Sequence, residues 1–300
     1  MRVLIVGCGY VGSLLGFELV RQGHQVFGLR RTASSGSEFR ITGVTPLQAD
    51  VTKPETLAAL PRDFDWVVNC AASGGGNSED YLRLYLEGTR NLIAWLAAAP
   101  PKKFVYTSST SVYGQNDGSL VKESSPTEPQ AETAQVLVET ERVLLEAART
   151  KQFPSVILRV AGIYGPGRGH WFKQFLRDEA KIEGKGERML NMIHLEDVIG
   201  AVMAALKNGR AGEVYNAVDD EPVSQLKFFE WLGGALDKPL PPAVPEDAEA
   251  NRKRGVTNKK VSNRRLKMEL GYQFKYPTFR QGYTAELIRL DRAGEAGHGS

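Results

Sequence analysis

Val3-Leu4-Ile5-Val6-Gly7-Cys8-Gly9-Tyr10-Val11-Gly12 lies at the start of the chain and decides its architecture. Four consecutive apolar residues predict a buried strand, and apolar residues at helical spacing over 11–20 predict a helix right after the glycines. Each glycine between them has a backbone role. Gly7 permits the tight turn, Gly9 lets a pyrophosphate approach main-chain N–H groups, and Gly12 lets the helix pack close to the strand. The helix N-terminus adds partial positive charge, so Tyr10 and Val11 join the glycines as expected cofactor contacts. The pattern predicts dinucleotide binding, the alternative being a tight strand-to-helix turn without a ligand.

The same alternation continues outward. Strands are expected over 25–29, 45–48, 65–70, 104–108 and 155–159, with helices over 78–98 and within 126–151. Strand–helix alternation and right-handed crossovers predict an α/β fold with a doubly wound parallel sheet. The second half is less regular: a helix over 194–206, a strand over 213–216, a helix over 224–236, a Pro-rich break over 239–245 and a last helix closing over 287–290. Residues 293–300 are small and polar and read as a frayed tail.

The chain has 300 residues, enough for a sizeable core without staples. Lys+Arg minus Asp+Glu gives 38 − 35 = +3, so no large global field favours nucleic acid or a membrane surface. No apolar run approaches the ~18 residues of a membrane span. Cys8 and Cys70 carry no metal-ligand spacing and make no disulfide scaffold, so no metal is expected and the expected compartment is the reducing cytoplasm. The two cysteines end the first and fourth strands, neighbours in a doubly wound sheet. A disulfide there would distort the glycine loop, so free thiols in a packing role are expected.

The end of the second strand should show which ribose is read. NAD sites usually place an acid there, and NADP sites an Arg. Here the sequence is Gly28-Leu29-Arg30-Arg31-Thr32, with no acid. Arg30 and Arg31 offer planar forks to a phosphate dianion, so NADP is expected over NAD, the alternative being solvated arginines. Asp50 and Val51, after the third strand, are candidates for the adenine edge, and a plain loop Asp is the competing assignment. Ala71 and Ala72, after the fourth strand, complete the expected cofactor set.

Further segments carry a resemblance. Thr107-Ser108-Ser109-Thr110-Ser111-Val112-Tyr113-Gly114 resembles the active-site strand of the extended short-chain dehydrogenase/reductases, the NAD-dependent epimerase/dehydratase group. Leu158-Arg159-Val160-Ala161-Gly162-Ile163-Tyr164-Gly165-Pro166-Gly167 is similar to the stretch passing the nicotinamide. Asn191-Met192-Ile193-His194-Leu195-Glu196-Asp197-Val198, Glu213-Val214-Tyr215-Asn216 and the segment from Asn258 to Tyr272 agree in order. The resemblance implies a Rossmann-type domain over 1–165, with 194–217 returning to it. It implies a smaller C-terminal α+β substrate lobe from 166–193 and 218–290, leaving 291–300 as a flexible tail. It also implies hydride transfer on a carbonyl or sugar-like small molecule, a Ser or Thr on the fifth strand, and a Tyr with a Lys four residues on.

Ser109 stands in the serine position. The Tyr and Lys are missing: the register Pro, Tyr, Lys, Glu falls on Pro129, Thr133, Leu137 and Glu141, and no Tyr or Lys occurs over 123–150. An aliphatic hydroxyl cannot donate a proton near neutral pH as a tuned phenol does. Tyr85 also stands where the family commonly has Asn, whereas Gly88, Thr89 and Asn91 fit. Tyr164 and His170 are the surrogate acid candidates, the first facing the nicotinamide and the second on a loop over the cleft. Tyr113 reads as structural, Arg168 as an anion ligand or a solvated charge, and His194 as a helix start. Two functions stay open: an atypical reductase or epimerase/dehydratase-like enzyme using NAD(P), and a non-catalytic NAD(P)-binding sensor.

Arg252, Lys253, Arg254, Lys259, Lys260, Arg264, Arg265 and Lys267 form a basic run without an intervening acid. No aromatic residue interleaves with them, so a nucleic-acid platform is disfavoured and a solvated face is expected. A homodimer through the helices over 78–98 and 126–151 is expected from the resemblance. Leu137, Val138, Leu144 and Leu145 are available for that face or for packing on the sheet.

Overall fold

The computed structural model describes residues 1–32, 43–245 and 257–297. Seven parallel strands form one sheet: β1 (Arg2–Val6), β2 (Gln25–Arg30), β3 (Thr45–Gln48), β4 (Trp66–Asn69), β5 (Lys103–Ser109), β6 (Ser155–Val160) and β7 (Glu213–Ala217). Their spatial order is β7-β6-β5-β4-β1-β2-β3. The order reverses between β1 and β4, so the crevice at the C-terminal edge opens beside the glycine loop. β1 and β6 are buried along nearly their whole length, as continuous apolar runs in a sheet covered on both faces must be.

The helices are α1 (Tyr10–Arg21), α2 (Pro54–Ala58), α3 (Ser78–Tyr81), α4 (Gly88–Leu96), α5 (Glu132–Lys151), α6 (His170–Leu176), α7 (Leu195–Asn208), α8 (Gln225–Leu236), α9 (Arg264–Leu270) and α10 (Phe279–Gly297). The single helix expected over 78–98 is instead α3 and α4 joined by a π-helical stretch, Leu82–Glu87. α5 starts only at Glu132, because Pro126 and Pro129 hold the preceding chain extended. α10 runs on to Gly297, through most of the segment expected as a frayed tail.

Two hydrophobic cores result. The larger surrounds the sheet, and the smaller gathers Phe172, Phe175, Phe228, Phe229, Phe279 and Tyr283 beneath α6, α8 and α10. Asp197 at the start of α7 ties the C-terminal segment down. It accepts from the Tyr272 hydroxyl and from the amides of Lys275 and Tyr276 at 2.7–3.0 Å. No helix among the described residues is long and apolar enough to cross a membrane.

Candidate active site at the C-terminal edge of the sheet

The glycine loop has the geometry its sequence asks for. Gly7 has φ +84°, and a methyl group there would lie 2.3 Å from Ala71 Cα. At Gly12 a methyl group would lie 2.6 Å from the Gly7 carbonyl oxygen. Gly9 differs, since nothing lies within 4 Å of the same position. Gly9 is the N-cap of α1 and supplies no side-chain cap, so the helix presents its first amides to open space. Two glycines close the loop and the third leaves room for a ligand.

Cys8 and Cys70 are free thiols, both buried. Burial pushes the Cys70 thiol up to about 12, and its Sγ lies 3.4 Å from the Gly7 carbonyl oxygen. A thiol so placed packs and does not react.

Arg30 folds back onto the loop. Its Nε donates to the Cys8 carbonyl, and a terminal nitrogen donates to Ser13 Oγ at 3.1 Å. Arg31 is exposed. Asp50 Oδ1 accepts from the Thr52 amide and hydroxyl, a local turn that fixes the carboxylate. Val51 is buried against Gly88, and Asn91 Nδ2 donates to its carbonyl at 2.9 Å. Ala71, touching Gly7, and Ala72 leave the end of β4. Tyr85 is buried, and its hydroxyl accepts from the Ser73 amide at 3.1 Å, so it braces the loop that follows β4.

Tyr10 joins two loops. Its hydroxyl donates to the Pro166 carbonyl at 3.1 Å, and the Arg168 guanidinium lies 5.1 Å from its ring centroid. The loop that precedes α6 therefore sits against the glycine loop. His170, the first residue of that helix, is exposed with its ring against Trp171.

Ser109 ends β5 in register with Val160. Its Oγ accepts from the Ser111 amide at 3.2 Å and caps a single 3-10 turn, Thr110–Val112. Beside it, the α5 face that would carry a phenol and an ammonium carries Thr133 and Leu137, both buried. Leu137 and Leu144 pack into the main core, while Val138 and Leu145 are half-buried.

Glu141, one turn on from Leu137, is buried with its carboxylate filled. Ser108 Oγ donates to it at 2.5 Å, and Arg159 donates from Nε and a terminal nitrogen at 2.7–3.1 Å. Arg159 also donates to the Tyr113 hydroxyl, which donates to Asn216 Oδ1, each at 2.8 Å. Tyr113 is thus structural, as expected. His194 also fulfils its expected role: its Nδ1 accepts from the Glu196 amide at the start of α7.

Tyr164 corrects an expectation. Its ring stacks on Tyr283 at 4.2 Å inside the smaller core, it is 1% exposed, and burial drives the phenol far above its ordinary range. Its hydroxyl is buried without a hydrogen-bond partner in that core, which argues against a proton-donor role.

The solvated face expected for the basic run holds at Lys260, Arg264 and Lys267, which are exposed, and fails at Lys259. Arg265 pairs with Glu213 and Glu269, and Lys267 with Asp220. Lys259 is buried, and Arg252, Lys253 and Arg254 lie outside the described residues. The acids that neutralise Arg265 and Lys267 come mostly from other segments, which local sequence could not show. Lys259 is 4% exposed, and a lysine inside a charged run gives no local sign of burial.

Comparison with known proteins agrees with this geometry. Residues 3–217 match the model of the NAD dependent epimerase/dehydratase family. Protein YeeZ of Escherichia coli K12 is 30% identical over 283 residues, covering 92% of this chain and 96% of that protein. The 2-alkyl-3-oxoalkanoate reductase of Shewanella oneidensis is 27% identical over 245 residues, covering 75% of this chain and 63% of that protein. DesIV, a dTDP-glucose 4,6-dehydratase from Streptomyces venezuelae solved with NAD and TYD bound, superposes with a TM-score of 0.83. That alignment covers 99% of this chain and 98% of DesIV at 22% identity, and it shows the shared fold. With a glycine-closed turn at the start of α1 and a family model spanning the sheet from β1 to β7, the chain belongs to the NAD dependent epimerase/dehydratase family.

Proposed function

We propose that the chain is an oxidoreductase that moves a hydride between NADP(H) and a carbonyl or sugar-like small molecule, without the family's Tyr–Lys pair. The observation that carries this proposal is the contrast among the glycines: Gly7 and Gly12 have no space for a side chain, while Gly9 faces open space over the start of α1. The amides of Tyr10 and Val11 would hold the pyrophosphate over Gly9, whose own amide donates to the Gly7 carbonyl at 2.7 Å, and Asp50, Val51, Ala71 and Ala72 the adenosine and nicotinamide sides. The bound nicotinamide would supply the hydride. Ser109 orients the reacting oxygen. His170, exposed beside the glycine loop, is the remaining candidate proton donor of the two named from sequence.

NADP is preferred because β2 ends on Arg30 and Arg31 with no acid. Arg30 braces the Cys8 carbonyl and Arg31 projects free of the sheet, so a 2′-phosphate would meet both guanidiniums. The smaller core is assigned to the substrate lobe. A shallow groove between α4 and α5, lined by Ile93, Ala97, Val143 and Ala147, is assigned to pairing of two copies. The partner is a small molecule rather than nucleic acid or membrane, and the two free thiols fit the cytoplasm.

Fluorescence titration tests the cofactor. NADPH should bind at least ~10-fold tighter than NADH, about 1.4 kcal/mol. Equal affinities would overturn the NADP preference, and absent binding would overturn the function. Tight binding without turnover of any carbonyl compound would favour a dinucleotide-sensing role, to which the loss of the phenol and ammonium at Thr133 and Leu137 already points.

A further inference from the structure

The turn 165–168 brings an arginine from the far end of the sheet to the glycine loop. Gly165 and Arg168 bond through both amides: the Gly165 N–H donates to the Arg168 carbonyl at 3.2 Å, and the Arg168 N–H to the Gly165 carbonyl at 2.9 Å. Gly165 at φ +141° and Gly167 at φ +68° supply the conformations that so tight a turn needs and that a side chain would resist. The closed turn fixes where the Arg168 side chain leaves the backbone. At the tip of the turn the Pro166 carbonyl accepts from the Tyr10 hydroxyl at 3.1 Å, and the Arg168 guanidinium lies 5.1 Å from the Tyr10 ring centroid. Tyr10 is the first residue of α1. The arginine is therefore held against the residue that follows Gly9 and its open space.

The charge of Arg168 is not used within the fold. The residue is exposed, and among the described residues it makes no ion pair. The other charges near the Tyr10 hydroxyl are Glu286 and Arg289 of α10, and they satisfy each other. Arg289 donates to Glu286 Oε2 from Nε at 3.1 Å and from a terminal nitrogen at 2.8 Å, and His194 Nε2 lies 3.4 Å from the same carboxylate. Stacking on Tyr10 orders a side chain that otherwise samples many rotamers, so a ligand bound to it costs less freedom. A planar guanidinium with unused N–H donors at the rim of an amide cradle suits phosphate oxygens taken in pairs.

We propose that Arg168 is the second arm of the dinucleotide site: its guanidinium takes diphosphate oxygens from the lobe side while the amides of Tyr10 and Val11 hold the opposite side. This rests on the dinucleotide-binding reading and adds a ligand to it. Leu137 offers the cofactor no charge from α5, and the turn after β6 supplies one from a different part of the chain. His170 begins α6 two residues beyond Arg168, so an occupied diphosphate site also fixes the candidate proton donor beside the glycine loop.

Calorimetric titration of the full chain with ADP-ribose, which carries the diphosphate and no nicotinamide, reads this arm without any turnover. Arg168→Met should weaken ADP-ribose at least ~10-fold at low salt, with the deficit shrinking as added salt screens the pair. Arg168→Lys should recover part of the loss, because it keeps the charge without the fork. The ligand-free melting temperature of both variants should stay near that of the parent, since the side chain is exposed. An Arg168→Met variant that binds ADP-ribose as the parent does would overturn the proposal and leave a solvated charge stacked on a tyrosine. So would a parent that, already saturated with ADP-ribose, binds inorganic phosphate at a further site lost in Arg168→Met, because the arginine would then serve the substrate. A parent that does not bind ADP-ribose at all is a separate result: it sinks the dinucleotide reading and this proposal with it.

Discussion

The two sides of the crevice have diverged in opposite ways. On the glycine-loop side Gly7, Gly9 and Gly12 all stand where the turn requires them, because their part is carried by the backbone and by the absence of side chains. On the α5 side Thr133 and Leu137 sit buried where a phenol and an ammonium are expected, while Glu141 in the same register persists. Glu141 persists because it is a structural residue, locked to Arg159 and Ser108. One face thus retains its packing residues after losing its reactive ones. A hydroxyl that moves protons can be lost without unfolding anything, whereas a buried carboxylate that neutralises a buried guanidinium cannot.

The largest effect should come from breaking that ion pair. Arg159→Met leaves Glu141 buried and unpaired, and urea unfolding should show a loss of about 3–5 kcal/mol. Glu141→Gln should cost less, since the amide oxygen still accepts from Arg159. Equal and small losses would mean that the network does not hold the α5 side in place.

The glycine loop separates folding from binding. Gly7→Ala forces a side chain to φ +84° and into the Ala71 backbone, and should cost about 3 kcal/mol together with dinucleotide binding. In Gly9→Val the added Cβ has no protein atom within 4 Å, so its unfolding midpoint should stay near that of the parent while nucleotide affinity falls at least ~10-fold. Unchanged affinity in Gly9→Val would leave the open space without a ligand.

Ser109→Ala sharpens the contrast from the β5 side. Carbonyl reduction should fall by about 10²-fold in kcat/KM, with NADPH affinity unchanged and stability lowered only by the lost cap of the 3-10 turn, about 1 kcal/mol. A loss of cofactor affinity instead would place Ser109 among the packing residues.

The smallest effect belongs to the smaller core. Asp219 is 1% exposed, and burial raises its carboxyl well above the ordinary 3.8. The folded state therefore binds that proton more tightly than the unfolded chain does. The stability this provides is full below the ordinary value and is lost as pH rises through the folded one. Asp219→Asn should raise stability by about 1 kcal/mol near neutral pH, with the gain vanishing in thermal melts below about pH 4. A gain independent of pH would show that the carboxyl is not the source.

The sheet was legible because strand and helix signals are local. Runs such as Val3-Leu4-Ile5-Val6 and Thr45-Pro46-Leu47-Gln48 lie where expected; the departures are in helices, namely the π-helical stretch before Gly88, the reach of α10 and the short helices α2, α6 and α9, which carry too few residues for a periodic signal. The glycine loop was legible for the same reason, since turn, cradle and helix start lie within six residues. So was the missing catalytic pair, because its register is set by a single helix. Side-chain direction was not legible. Tyr164 follows β6 at the expected distance, yet its ring is taken into the aromatic core beneath α10. Lys259 stands in a basic run that sequence assigns to solvent, yet Asn191, Gln115 and Gly118 hold the backbone at 258–259 and the residue is buried. By itself the sequence determined which backbone could cradle a diphosphate and which catalytic groups were gone. Only the tertiary structure decided which charges meet acids, which phenol is sealed in a core and which amine is buried, because those outcomes depend on segments far apart in the chain.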